Sequence, residues 1–210
     1  MAIISQEKMM QVLEKCYDGA MKGLPGNKPC AELASDYLSK YSNPLSAAKH
    51  LIDSQVAKCT TSGFLTSLGG LITLPVAIPA NVGSVLYMQM RMIGAIAVMG
   101  GYNLHDDEVQ TLVYLCLVKS SITDVIKSAG VQVTNKITIS MLKKLPGTVL
   151  TKINQKVGFR LVTKFGTKGI VNLAKVVPVL GGVVGGTIDL VETKKIADKA
   201  CDAFLRNIID

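Results

Sequence analysis

The chain has no tryptophan, only four phenylalanines and two histidines, and aromatic residues make up 5% of it. So thin an aromatic supply argues against a nucleic-acid surface, which interleaves basic side chains with stacking rings. Phe159 and Phe165 are the only aromatics in the most basic region, so no nucleic-acid partner is expected. The five cysteines, 16, 30, 59, 116 and 201, form no CxxC pair. Scattered and odd in number, they fit reduced thiols in a cytoplasmic protein and supply neither a zinc site nor a disulfide framework. The signatures GxSxG, HExxH, P-loop and GxGxxG are all missing. The one tight polar cluster, His105-Asp106-Asp107-Glu108, reads as the start of a helix, where early acids suit the positive end of the dipole. No catalytic residue, metal or cofactor is expected.

Charge is missing in two places. From Cys59 to Met90 there is no charged side chain, and after Arg91 the apolar sequence runs on to Gly101. From Val125 to Ile188 there is no Asp or Glu, although the same stretch carries ten Lys and Arg residues out of 23 in the chain. The net charge of +8 is therefore concentrated, and a one-sign block inside periodic apolar sequence reads as one basic face of a fold.

What is present is apolar and helical. Hydrophobic residues make up 49% of the 210 and mean hydropathy is +0.36, between a soluble bundle and a membrane protein. The first 23 residues read as an amphipathic helix with charges spread through it, unlike a signal peptide. Helical spacing predicts helices near 5–22, 30–41, 45–58, 64–73, 80–99, 122–129, 136–144, 148–165, 167–176 and 178–207, and one within 103–121 that Asn103 or Asp106 can cap. Residues 131–140 alternate and are rich in β-branched residues, but they lack a partner strand, and helix is favoured there. The fold class is all-α, a compact multi-helix bundle in one domain. Residues 1–58 form N-terminal helices, 59–101 an apolar hairpin bearing Pro and Gly, and 102–210 the basic C-terminal helices.

The 59–101 stretch is long enough to cross a bilayer. Pro75 and Pro79, the Gly69-Gly70 pair and polar Asn81, Ser84, Gln89 and Arg91 make it a poor single transmembrane helix. It reads as two helices joined by LPVAIP, whose Leu74, Val76 and Ile78 are expected to form an exposed tip that meets lipid. Arg91 and Asp189 are lone charges in apolar sequence, costly to bury unless paired with each other or with polar neighbours. Gly181/Gly185 and Gly182/Gly186 are overlapping GxxxG spacings, which let helix backbones approach closely. The segments led by Pro75 and Pro178 echo one another faintly: the offset that superposes them also sets Gly83 over Gly186 and Ile93 over Ile196.

Two blocks, GFLTSLGGLITLPVAIPANVGSVLYMQMRMIGAIAVMGGYNLHDDEVQTLVYLCLV and LPGTVLTKINQKVGFRLVTKFGTKGIVNLAKVVPVLGGVVGGTIDLVETKKIADKA, resemble the EcsC family over about residues 59–200. That family is named for a gene beside a bacterial ABC transporter. The resemblance implies no catalytic residue that could be carried over.

Lys152, Lys156, Arg160, Lys164 and Lys168 fall four residues apart, one drifting basic row on a helix. Ile153, Val157, Leu161 and Phe165 run beside it. Such a helix either lies on an anionic membrane, its lysine stems reaching up to headgroups, or turns its apolar stripe to a core and its basic face to water. The expectation is a non-catalytic cytoplasmic protein, peripheral on the inner face of the membrane, that binds anionic lipid or perturbs the bilayer through the basic face and the hairpin. The alternative is a soluble helical scaffold or accessory of a membrane protein such as a transporter. A hydrolase with an unrecognised site is the third reading.

Overall fold

Twenty consecutive residues with a single charge, Arg91, have to be surrounded, and the fold is built by surrounding them. In the computed structural model, which describes residues 4–59, 80–133, 138–165 and 182–208, nine helices and no strand are found among the described residues. They are α1 (Gln6–Lys22), α2 (Cys30–Leu38), α3 (Pro44–Cys59), α4 (Ala80–Met99), α5 (Asp107–Cys116), α6 (Ile122–Ser128), α7 (Ile139–Leu142), α8 (Gly147–Phe165) and α9 (Gly182–Leu205).

Helix α4 is the axis. It packs against α1, α2, α3, α5 and α9. Val82–Met99 is apolar and long enough to span a membrane, yet 89% of it is buried inside the protein. This half of the apolar stretch is therefore core. Residues 74–79 of the bend, with Leu74, Val76 and Ile78, lie outside the described residues, as does the expected helix at 64–73.

The surrounding helices start and stop on local signals. Ser5 caps α1, its hydroxyl accepting from the Lys8 amide at 3.2 Å. Asn43 does the same for α3, accepting from the Ser46 amide at 2.8 Å, with Pro44 in the first turn, where its missing N–H costs nothing. Asp106 occupies the N-cap position of α5, but its side chain accepts from Asn103 at 2.8 Å and makes no cap bond. The His105–Glu108 cluster is thus a helix entrance. Helix α1 turns Met9, Val12, Leu13, Cys16, Tyr17 and Ala20 inward, and Tyr17 donates its hydroxyl to the Leu104 carbonyl at 2.7 Å.

Several boundaries differ from those expected. Helix α2 ends at Leu38 and α7 is a single turn. Residues 131–133 are neither helix nor strand. Residues 134–137, the expected helix at 167–176 and the Pro178 start of the last helix lie outside the described residues. The two segments paired by the sequence echo, α4 and α9, pack directly on one another, and Gln89 donates to Thr193 between them at 3.3 Å.

Candidate functional site

Helix α8 sorts its two rows by partner. Ile153, Val157, Leu161 and Phe165 are buried, and the helix packs against α1, α5 and α6. Gly158 lets α1 come close, since a Cβ there would stand 2.8 Å from the Met10 sulfur. The apolar stripe therefore faces the core and cannot also face lipid. Only the basic face is available to anything outside the protein.

That face is divided along its length. Lys152 and Lys156 are exposed. Arg160 is half-buried and donates to the Ser120 hydroxyl. Lys164 is paired with Glu192 of α9, and its ammonium lies 4.6 Å from the centre of the Phe165 ring, a favourable cation–π distance. Glu192 is shared: its other oxygen is 3.7 Å from Lys119, which is itself well exposed. Lys168 lies outside the described residues.

The loop between α5 and α6 is the floor of this arrangement. A helix leaves its last carbonyls without partners inside the helix. Just beyond the end of α5, Lys199 of α9 donates to the carbonyls of Val118 at 2.7 Å and Ser120 at 2.9 Å. A cation there also suits the negative end of the helix dipole. The loop so fixed separates two adjoining clefts that share Val118 and Lys119. One, of about 590 Å³, lies toward Val191, Lys195 and Ile196. The other, of about 670 Å³, lies toward Lys156, Phe159, Arg160 and Lys164. Among the described residues lining the two, Glu192 is the only carboxylate.

Phe159 stands out of the protein beside this groove. It is 58% exposed, between Lys156 and Arg160 on α8. The basic period of α8 was legible in the sequence, but Lys119, Glu192 and Lys195 reach the groove from loops and helices remote along the chain. The four-residue step from Lys195 to Lys199 puts both on one side of α9, but no spacing in the sequence ties that side to α8.

Arg91 is buried, with 4% of its surface exposed. Its guanidinium donates through Nε to the Lys28 carbonyl at 2.8 Å and through Nη1 to Gln55 Oε1 at 3.3 Å. These neutral acceptors are its partners among the described residues, and the expected pairing with Asp189 falls on a side chain outside them. Gly182, Gly185, Gly186 and Asp189 fall on the first turns of α9, but their side-chain surroundings lie outside the described residues, as does Gly181 altogether. Among the described residues, no three His, Cys, Asp or Glu side chains gather as metal donors.

The arrangement is an all-α bundle with a buried apolar axis and a cationic groove on one side. The chain belongs to the EcsC protein family, whose model matches residues 28–206, a longer span than the sequence blocks alone covered. No curated protein and no solved structure matches it significantly.

Proposed function

We propose that this protein is a non-catalytic, peripheral membrane protein that binds anionic lipid on the cytoplasmic face through the outer side of α8. The observation that carries the reading is Phe159, more than half exposed, on a helix face with Lys152 and Lys156 beside it. An aromatic ring at headgroup depth, ringed by lysines whose stems can snorkel, is a chemistry suited to an anionic interface. Each basic residue near such a leaflet contributes roughly 1 kcal/mol. The reading rests on α8 alone, because the hairpin tip, Leu74, Val76 and Ile78, lies outside the described residues.

One observation favours the alternative, a soluble scaffold serving a membrane protein such as a transporter. Arg160 and Lys164 are engaged with Ser120 and Glu192, so part of the basic row also serves the interior of the protein. Flotation with phosphatidylcholine vesicles containing phosphatidylserine separates the two readings. Binding is expected at low salt and should weaken as salt rises, because exposed charges are screened. Lys152→Gln with Lys156→Gln should weaken it by roughly 2 kcal/mol, some thirtyfold in affinity, and Phe159→Ser should weaken it further, all with wild-type helix content. Wild-type protein that fails to float at low salt would leave the scaffold standing.

A further inference from the structure

The inner part of the groove is built differently from the outer face of α8, and its construction selects a ligand. Lys119, Arg160 and Lys164 come from two separate elements and line one cleft. Glu192 takes a single bond or contact from each of Lys119 and Lys164, and Ser120 takes one from Arg160. An ammonium has three donors and a guanidinium five, so among the described residues most of the donor capacity of the three cations is not taken up. The groups that fix them are not themselves free to move. Lys199 clamps the loop that carries Lys119 and Ser120, and Glu192 is only 14% exposed.

We propose that this cleft binds a phosphomonoester headgroup of a membrane lipid, with Arg160, Lys164 and Lys119 as its donors. A phosphomonoester brings three acceptor oxygens and nearly two negative charges at neutral pH. A phosphodiester or a carboxylate brings two oxygens and one charge, and would leave the cluster under-neutralised. Arginine is suited to taking two phosphate oxygens at once. The lipid source follows from the apolar surface beside the cations: Phe159, 58% exposed, lines the same cleft, and Val191, 57% exposed, lines the adjoining one, so both can meet the start of the acyl chains. The proposal rests on the membrane reading above and adds a headgroup preference to it.

The test compares vesicles carrying phosphatidic acid with vesicles carrying phosphatidylserine, matched in surface potential. Wild type should prefer phosphatidic acid by roughly five- to tenfold, as one additional charge contact at the membrane implies. Arg160→Gln with Lys164→Gln should erase the preference while keeping phosphatidylserine binding through Lys152, Lys156 and Phe159. Lys152→Gln with Lys156→Gln should weaken both and keep the ratio. Thermal unfolding accompanies each variant. If the first pair does not fold, the wild type titrated with monomeric dihexanoyl phosphatidic acid, followed by NMR, should shift the amides of residues 118–121 and 160–164. Equal binding to the two vesicles, with phosphatidylserine binding intact, would overturn the headgroup proposal and spare the membrane reading. Binding to neither would overturn both. Saturable binding of glycerol 3-phosphate in solution, without any phosphatidic acid preference, would assign the cleft to a soluble phosphate and overturn the lipid source.

Discussion

Adjacent glycines at the end of α4 carry opposite kinds of constraint. Gly100 is restricted by space: a Cβ there would stand 2.4 Å from the Phe204 carbonyl oxygen, a backbone atom that cannot swing aside. Gly101 is restricted by conformation, with φ at 81° and nothing near its missing Cβ. Gly100→Ala should therefore force α4 and the end of α9 apart, at about 1–3 kcal/mol for an overpacked contact. Gly101→Ala should cost about 1 kcal/mol for the left-handed backbone alone. Urea unfolding of both variants checks the ranking, and equal midpoints would show that the two chains yield freely at Gly100. Such contacts are invisible in sequence. Gly100-Gly101 announces a helix end, but which glycine faces another chain segment depends on a residue about a hundred positions away.

Helices α3 and α4 and the entrance to α2 meet at Arg91. Its charge is neutralised by no described carboxylate, and the amide nitrogen of Gln55, whose oxygen serves it, is buried without a partner among the described residues. A buried cation held by neutral groups is weak support for stability, because its desolvation is only partly offset. Arg91→Met alone should cost about 1–3 kcal/mol, since it leaves the whole Gln55 amide buried and unpaired. Adding Gln55→Leu removes that amide, so the double variant should be more stable than Arg91→Met. A double-mutant cycle by urea denaturation reads the coupling, and strict additivity would break the tether. The sequence marked Arg91 as a lone charge in apolar surroundings, which is a local fact. It could not supply Gln55 or Lys28, because a partner across a bundle is set by helix packing. For the same reason the span of α4 was legible to the residue, since a twenty-residue apolar run fixes its own helix. The stripe of α8 fixed which residues share a face, but whether that face met lipid or core depended on α1 and α5.

At the scale of the whole bundle, the helices around α4 share one liability, which is buried groups that must stay protonated. Cys16, Cys30, Cys116 and Cys201 are buried free thiols on α1, α2, α5 and α9. Burial pushes the thiols of Cys16, Cys30 and Cys116 up to about 12, and that of Cys201 up to about 11, from an ordinary 9. The hydroxyls of Tyr17, Tyr87 and Tyr114 are raised by the same desolvation, that of Tyr87 to about 12 from 10. A raised acid pKa means that the folded protein keeps its proton where the unfolded chain has lost it, so stability falls as pH rises. Below about pH 8.5 both states hold the protons and no effect is expected. Between the unfolded value and the folded one, each thiol costs on the order of 1 kcal/mol by pH 10, and tyrosines add to the slope above that. Four such groups are comparable with the roughly 5–15 kcal/mol that holds a domain together. The urea midpoint should therefore stay level from pH 7 to 8.5 and fall steeply toward pH 10.5, the fall beginning well below the value of about 10.4 at which lysines lose charge. Cys116→Ala should lower stability at pH 7 by leaving a small cavity, and should also flatten the alkaline fall by about one proton's worth. The second effect distinguishes ionisation of the core from general loss of surface charge. A midpoint that holds to pH 10.5 in the wild type, or an alkaline slope untouched by Cys116→Ala, would mean that the thiols ionise within the fold and that its interior admits water.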